Sequence, residues 1–528
     1  MMTSYITRMN ISTLLPYETP VPADAKRRKT AAVLRVIGYG VIIGAILVSL
    51  IQYQYIAWRN SNKAAQWNTN HGHLDDAELR ELGLSEPKGR SGAIQRWAIG
   101  IRAFWAGDNI YISHDHPGDQ HIRMHPNTPG ILVLMTPLAF LPPDASALAW
   151  NLCKLVAIVL SLLMAVRVAN HGDIRMVDWA VFLAVLWSLR FIMGDIRHAN
   201  TNTFVLFAIV LHLWLFRTGR DLWAGCSLGL AICLKMTPAL FMLYWIYQRN
   251  WRLLAGMLIG LAVIGVVLPA AAMGPTRYVE STQCWLNNLI KPGLVKGSWY
   301  PIHVNQSFPA VMSRLFFGEP NPNGDIFWNP DDYIYGRHGK GGWIALVSLG
   351  EPVVKGIVRA GQVIVLALMA WAIGLRKLPR DDARRNLHYA MVLLAMMMLN
   401  QRTWDHHAAV LLPAGMAVWF AITQGRLSAK ARVASIVLVA AAGLGILAAP
   451  IAGLAQDIFG PKHSPLDWKD MCEAYGPVFF HFALLFIACV IMCLSLKNKP
   501  TPYAIQAGGA TERPISCTAE PASLAGTR

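Results

Sequence analysis

The residues able to do chemistry fall in short polar stretches set between long apolar ones. The densest is Gly194-Asp195-Ile196-Arg197-His198-Ala199-Asn200-Thr201-Asn202, with Arg190 just before it. A carboxylate at Asp195 could take a proton from a hydroxyl. Arg190, Arg197 and His198 could face a phosphate, and Asn200 and Asn202 suit hydroxyl groups. Taken singly, each of these residues is as well explained by an interfacial salt-bridged cluster. Lys235 closes an apolar run just before Thr237-Pro238. It reads equally as a snorkelling cation or as a point charge for a lipid phosphate.

Three further stretches share this character. Asn400-Gln401-Arg402-Thr403-Trp404-Asp405-His406-His407 opens an apolar run, where free N–H groups would favour an anion. Adjacent histidines point to different faces of a helix, so His406 and His407 do not suggest a shared metal. Asn305-Gln306-Ser307 follows Trp299-Tyr300, and amides beside aromatic rings suit a sugar. The triplet also spells a weak glycosylation sequon. Gly107-Asp108-Asn109-Ile110-Tyr111 precedes His125-Pro126-Asn127-Thr128-Pro129-Gly130; the prolines read as a turn and an interfacial helix, whereas Asp108 is a candidate acid.

The elements that must position these residues are membrane spans. The 528 residues are 54% hydrophobic and 15% charged, too apolar for a soluble chain of this length, so the fold class is an all-α polytopic membrane protein. Spans fall at 35–57, 144–167, 175–194, 201–217, 222–236, 238–248, 253–272, 353–376, 386–401, 406–424, 433–455 and 475–496. That is about twelve transmembrane or re-entrant helices, and 222–248 reads either as two short helices or as a hairpin broken at Pro238. The net charge of +17 sits in short loops at alternate ends of the spans, which is the positive-inside pattern rather than a nucleic-acid surface. It puts both termini in the cytoplasm and all the polar stretches outside. The domain plan is a cytoplasmic tail over 1–34, a membrane domain over 35–497 and a disordered cytoplasmic tail over 498–528. The membrane domain carries external loops 58–130 and 273–350, and Ile94 to Trp105 within the first has the spacing of an interfacial helix. The eight cysteines lie mostly in apolar runs and form no C-x-x-C pair, so they read as core residues. No Walker loop or Rossmann glycine pattern points to a nucleotide, and no cofactor or metal is expected.

The ordered set GDNIY…HPNTPGILVLMTPLAFLPP…ALAWNLCK, GDIRHANTN, AGCSLGLAICLKMTPALFMLYWI, NQSFPAVMSRLF and NQRTWDHHAAVLLPA, spanning roughly 95–425, resembles glycosyltransferase family 87. That resemblance implies a GT-C-like membrane enzyme, similar to polyprenyl-phosphate-mannose-dependent mannosyltransferases, in a bacterial cytoplasmic membrane. It implies transfer of a hexose such as mannose from a polyprenyl-phosphate donor to a lipid or glycan acceptor on the outer face. A carboxylate, Asp195 or Asp108, would then act as base with His406 and His407 assisting. Arg197, His198, Lys235 and Arg402 would face the phosphate, and Asn200 and Asn305 the sugar. The chain departs from the family's pattern where an acid is common, reading Ser91-Gly92-Ala93-Ile94-Gln95-Arg96-Trp97. Asp405 is a third choice of acid, and Asp75 and Asp76 lie outside any match. The rival readings are a transporter or lipid-carrier flippase, whose path the same charges could line, and an inactive polyprenyl-phosphate-binding scaffold.

Overall fold

The computed structural model describes residues 25–71, 92–112, 114–116, 120–122, 125–171, 175–294, 300–317, 346–460 and 468–497. Asp75, Asp76 and the C-terminal tail lie outside them, as do most of the N-terminal tail and much of the 273–350 segment.

Apolar runs become helices here because a spanning segment must satisfy its own backbone. Those described are α1 Ala25–His71, α2 Gly92–Ala106, α3 Pro129–Ala139, α4 Pro143–Ala169, α5 Asp178–His198, α6 Asn202–Arg217, α7 Asp221–Leu234, α8 Leu240–Tyr247 and α9 Trp251–Met273. They continue with α10 Pro275–Trp285, α11 Phe308–Phe316, α12 Glu351–Ile373, α13 Arg384–Leu399, α14 Asp405–Thr423, α15 Ala429–Phe459, α16 Trp468–Ala474 and α17 Pro477–Leu496. Among the described residues one small antiparallel hairpin, β1 His114–His116 with β2 Gln120–Ile122, lies between α2 and α3. The protein is an all-α polytopic membrane protein.

All twelve apolar segments are helical, but among the described residues only eight helices are long and apolar enough to span: α1, α4, α5, α9, α12, α14, α15 and α17. The short ones are α6, α7, α8 and α13. Of these, α6 and α13 pack inside the bundle, α13 along nearly its whole length, whereas α7 exposes Trp223 and α8 exposes Leu243 and Ile246. The segment 222–248 forms two helices, and the break from Lys235 to Ala239 leaves Lys235 extended. The first helix runs well past the expected 35–57 span at both ends.

The loops between the spans sort into two groups. Residues 194–202, 235–239 and 400–405 gather at one end. Arg217, Arg380 and Arg385 gather at the other, where Arg380 pairs with Asp221 and Asn386 reaches the Ala169 carbonyl.

Two packing devices set the helix positions. Gly225 and Gly229 on α7 face Gly256 and Gly260 on α9 so closely that a Cβ at any of the four would strike the opposite backbone. Small residues four apart permit this approach in a membrane bundle. The second device uses proline. Pro450 has no N–H, so the Ile446 carbonyl of α15 loses its helical partner and accepts instead from Arg190 of α5. Pro269 likewise frees Gly265, whose carbonyl takes the Tyr278 hydroxyl at 3.0 Å beside a π-helical stretch, 263–267.

Candidate functional site

The site grows from the end of α5. Ala199 turns the chain in the left-handed region (φ 49°), and its carbonyl accepts from Trp150 Nε1 at 3.1 Å. Gly92, itself at φ +75°, lies against Ala199 so closely that a side chain there would collide with it. The tight turn lets Asp195 reach forward and cap α6. Its carboxylate accepts from Asn202 Nδ2 at 2.9 Å and Thr203 Oγ1 at 2.6 Å, and from the backbone N–H groups of both residues. A carboxylate at a helix N-terminus satisfies orphan donors and meets the positive end of the dipole.

Lys154 completes this unit from α4. Its Nζ lies 2.7 Å from both Asp195 Oδ2 and the Asp195 carbonyl, and both side chains are wholly buried. Lys154 was not singled out in the sequence, because one lysine among ALAWNLCKLVAIV carries no spacing signal. A lysine deep in a long apolar helix, ten residues from that helix's one acid, Asp144, is the available clue. α4 continues about 16 Å beyond Lys154 toward Pro143, at 1.5 Å per residue, so the site is recessed below the rim.

Around this pair stand the imidazoles and the remaining cations. His198 and His406 lie against each other with rings tilted by 30° and centroids 4.4 Å apart, and Asn200 Nδ2 is 3.3 Å from His406 Nε2. His407 is perpendicular to His406 and stacks on Trp404. Lys235 Nζ donates to Asn202 Oδ1 at 2.8 Å, which links α7 to the Asp195 cap. His198 and Arg197 are exposed, whereas His406 is buried. The structure therefore brings Asp195, His198, Asn200, Lys235, His406 and His407 together, with Arg197 at the edge.

Three expected residues have different surroundings. Asn305 is buried, with Nδ2 donating to the carbonyls of Tyr300 and Gln401 and Oδ1 accepting from the N–H groups of Ser307 and Thr403. It ties the 300–307 stretch to the 400–403 stretch, and its amide is fully used there. Arg402 stacks over the Tyr300 ring at 4.3 Å. Asp108 sits in the turn after α2; beside it, Asn109 reaches Cys284 of α10. That wall meets the site through Thr128 Oγ1, which donates to the Cys233 carbonyl at 3.2 Å, two residues before Lys235.

The charge balance follows. Asp195 is neutralised by Lys154, and Asp405 by Arg190 at 2.6 Å. Lys235 then stands beside three imidazoles at the centre, with Arg197 on the edge, an arrangement suited to an anion. Metal-ligand geometry occurs elsewhere: His303, Asp470 and Glu473 place their ligand atoms within 4.8 Å of one another, with Lys469 3.7 Å from Glu473. Burial, and next the Asp405 carboxylate, push the Glu473 carboxyl above its ordinary range. The seven described cysteines are free thiols.

An all-helical membrane bundle with a recessed, cation-rich polar site at one end defines the class as a membrane glycosyltransferase once the sequence comparison is added. The profile of glycosyltransferase family 87 matches residues 126–400, just over half of the chain. The chain belongs to glycosyltransferase family 87. The matched region holds Lys154, Asp195, Arg197, His198, Asn200, Lys235 and Asn305, and stops short of Arg402, His406 and His407. Comparisons with curated proteins and with solved structures give no match.

Proposed function

We propose that the protein transfers a hexose, mannose being the first to test, from a polyprenyl-phosphate-linked donor to a lipid or glycan acceptor. The reaction would take place on the outer face of a bacterial cytoplasmic membrane. The observation that carries this reading is the gathering of His198, His406, His407 and Lys235 around a carboxylate already neutralised by Lys154. For a phosphate leaving group, Lys235 and the nearby Arg197 supply positive charge and the imidazole N–H groups supply hydrogen bonds. The basic loops at the other end of the bundle support the assignment of faces.

In the proposed step the acceptor oxygen bonds to the anomeric carbon as the bond from that carbon to the phosphate oxygen breaks. Polyprenyl phosphate leaves toward Lys235, Arg197 and Arg402, and the acceptor proton passes to a base. Asp195 has its oxygens occupied by Lys154, Asn202 and Thr203, so we assign it to positioning. His198, exposed and packed against His406, takes the proton in this reading, and Asp108 is the alternative acceptor. Asn200 contacts the sugar, while Asn305 holds the loop that carries Arg402.

The test is transfer by the purified protein in detergent, with radiolabelled polyprenyl-phosphate-mannose and a lipid extract from the source cells. Labelled product that is lost in His198→Ala but kept in Asp108→Asn supports the reading; the reverse pattern moves the base to Asp108. Donor binding without turnover, across several sugars and extracts, would instead make the protein a carrier-binding scaffold. The absence of an acid across 91–97 is what favours that second reading.

A further inference from the structure

At the end of the bundle opposite the histidines, a cavity of about 470 Å³ lies between α6, α8 and the loop from α12 to α13. α6 separates the two sites by about 24 Å, at 1.5 Å per residue. The lining carries four cations, Arg376, Lys377, Arg380 and Arg385, against one carboxylate, Asp221. Arg380 is committed to Asp221, at 2.6 and 3.0 Å. Arg385 is buried and spends its donors on the Pro379 and Leu378 carbonyls and the Tyr244 hydroxyl. These two set the field, while Arg376 and Lys377 are exposed and able to reach a ligand.

One further group points to what the ligand carries. Gln248 lines the cavity, is 2% exposed, and its Oε1 has no hydrogen-bond partner among the described residues. A buried amide oxygen left without a donor costs about 1–3 kcal/mol, so a site that keeps one is built for a donor that arrives with a ligand. Apolar and aromatic residues flank the lining in sequence: Trp251 follows Asn250, Leu375 precedes Arg376, Trp371 lies one turn earlier, and all three are exposed. Such residues mark the level of lipid headgroups.

We propose that this cavity binds a phosphoester bearing a neighbouring hydroxyl, the phosphate held by Arg376 and Lys377 and the hydroxyl donating to Gln248 Oε1. The flanking apolar residues favour the headgroup of an anionic phospholipid such as phosphatidylglycerol over a soluble ester. The site takes no part in transfer, and the proposal stands whether or not the transfer reading does.

The experiment titrates the detergent-purified full chain with short-chain phosphatidylglycerol, phosphatidylcholine and glycerol 1-phosphate, reading the thermal-unfolding midpoint and the apparent affinity. Phosphatidylglycerol should raise the midpoint and phosphatidylcholine should not. Arg376→Gln with Lys377→Gln should weaken the response about 30-fold, at roughly one kcal/mol per surface cation (~2 kcal/mol in all). Gln248→Glu, nearly isosteric, should abolish it by repelling the phosphate and removing the neutral acceptor. An equal response to glycerol 1-phosphate keeps the site and makes the ligand a soluble ester. Equal responses to the two phospholipids, or an undiminished response in the double variant, overturn the proposal. An undiminished response in Gln248→Glu does the same.

Discussion

Loss of the Asp195 carboxylate tests the distinction between a positioning residue and a base. Asp195→Asn keeps the shape and one carbonyl acceptor for the α6 cap, but leaves the Lys154 ammonium buried without a counter-charge. Breaking a wholly buried pair from one side costs about 3–5 kcal/mol, because the remaining charge has lost its compensation. Replacing both partners by neutral groups of similar size removes the orphan charge as well. Lys154→Met combined with Asp195→Asn should therefore recover more than half of that loss. The assay is unfolding in mixed micelles by SDS titration, run beside transfer activity. If Asp195→Asn unfolds like the unmodified protein, the pair is not structural and the reasoning fails. If the double variant is as stable as the parent yet wholly inactive, while His198→Ala retains transfer, Asp195 is the base after all.

Three other outcomes are expected. Gly256→Leu should drive a side chain into the Leu222 carbonyl and lower the yield of folded protein in size-exclusion profiles, whereas Gly443→Leu, which meets nothing within 4 Å, should not. Glu473, raised above the ordinary carboxylate range by burial, is favoured in its protonated form by the fold. The cost of ionising it is absent at low pH and grows as pH rises through the folded value. Glu473→Gln should thus melt above the parent near pH 8, with the gap closing toward about pH 4; a gap independent of pH would contradict this. Asn305→Ala should take the side-chain partner from four backbone groups and loosen the 300–305 loop, seen as faster amide exchange at Ser307 and Thr403, with the donor KM raised more than kcat is lowered.

Much of the architecture is legible along the chain. Apolar length and the placement of Lys and Arg locate twelve helical segments and sort their loops into two groups, because hydrocarbon demands internal hydrogen bonding and charges must lie at helix ends. The polar stretches at 194–202, 235 and 404–407 stand out for the same reason, since polar groups between spans are costly to keep. Several histidine and lysine candidates do converge, and the family resemblance is shown by the profile match. Composition could not show which of the twelve helices face lipid. α13 and α6 look like spans but are interior, and that is decided by neighbours far away in sequence.

Individual roles depended on tertiary structure. Asp195 reads as an available acid in GDIRHANTN, but Lys154, forty-one residues earlier, and the start of α6 occupy it. Asn305 reads as a sugar ligand or sequon, but the carbonyls of Tyr300 and Gln401 take its amide. Arg190 reads as a phosphate ligand, but a proline on α15 frees a carbonyl for it and Asp405 pairs with it. Sequence determines which groups a chain carries and at what depth in the membrane they lie. Whether a charge is free or spent depends on partners within about 3 Å, and only the packed helices choose those partners.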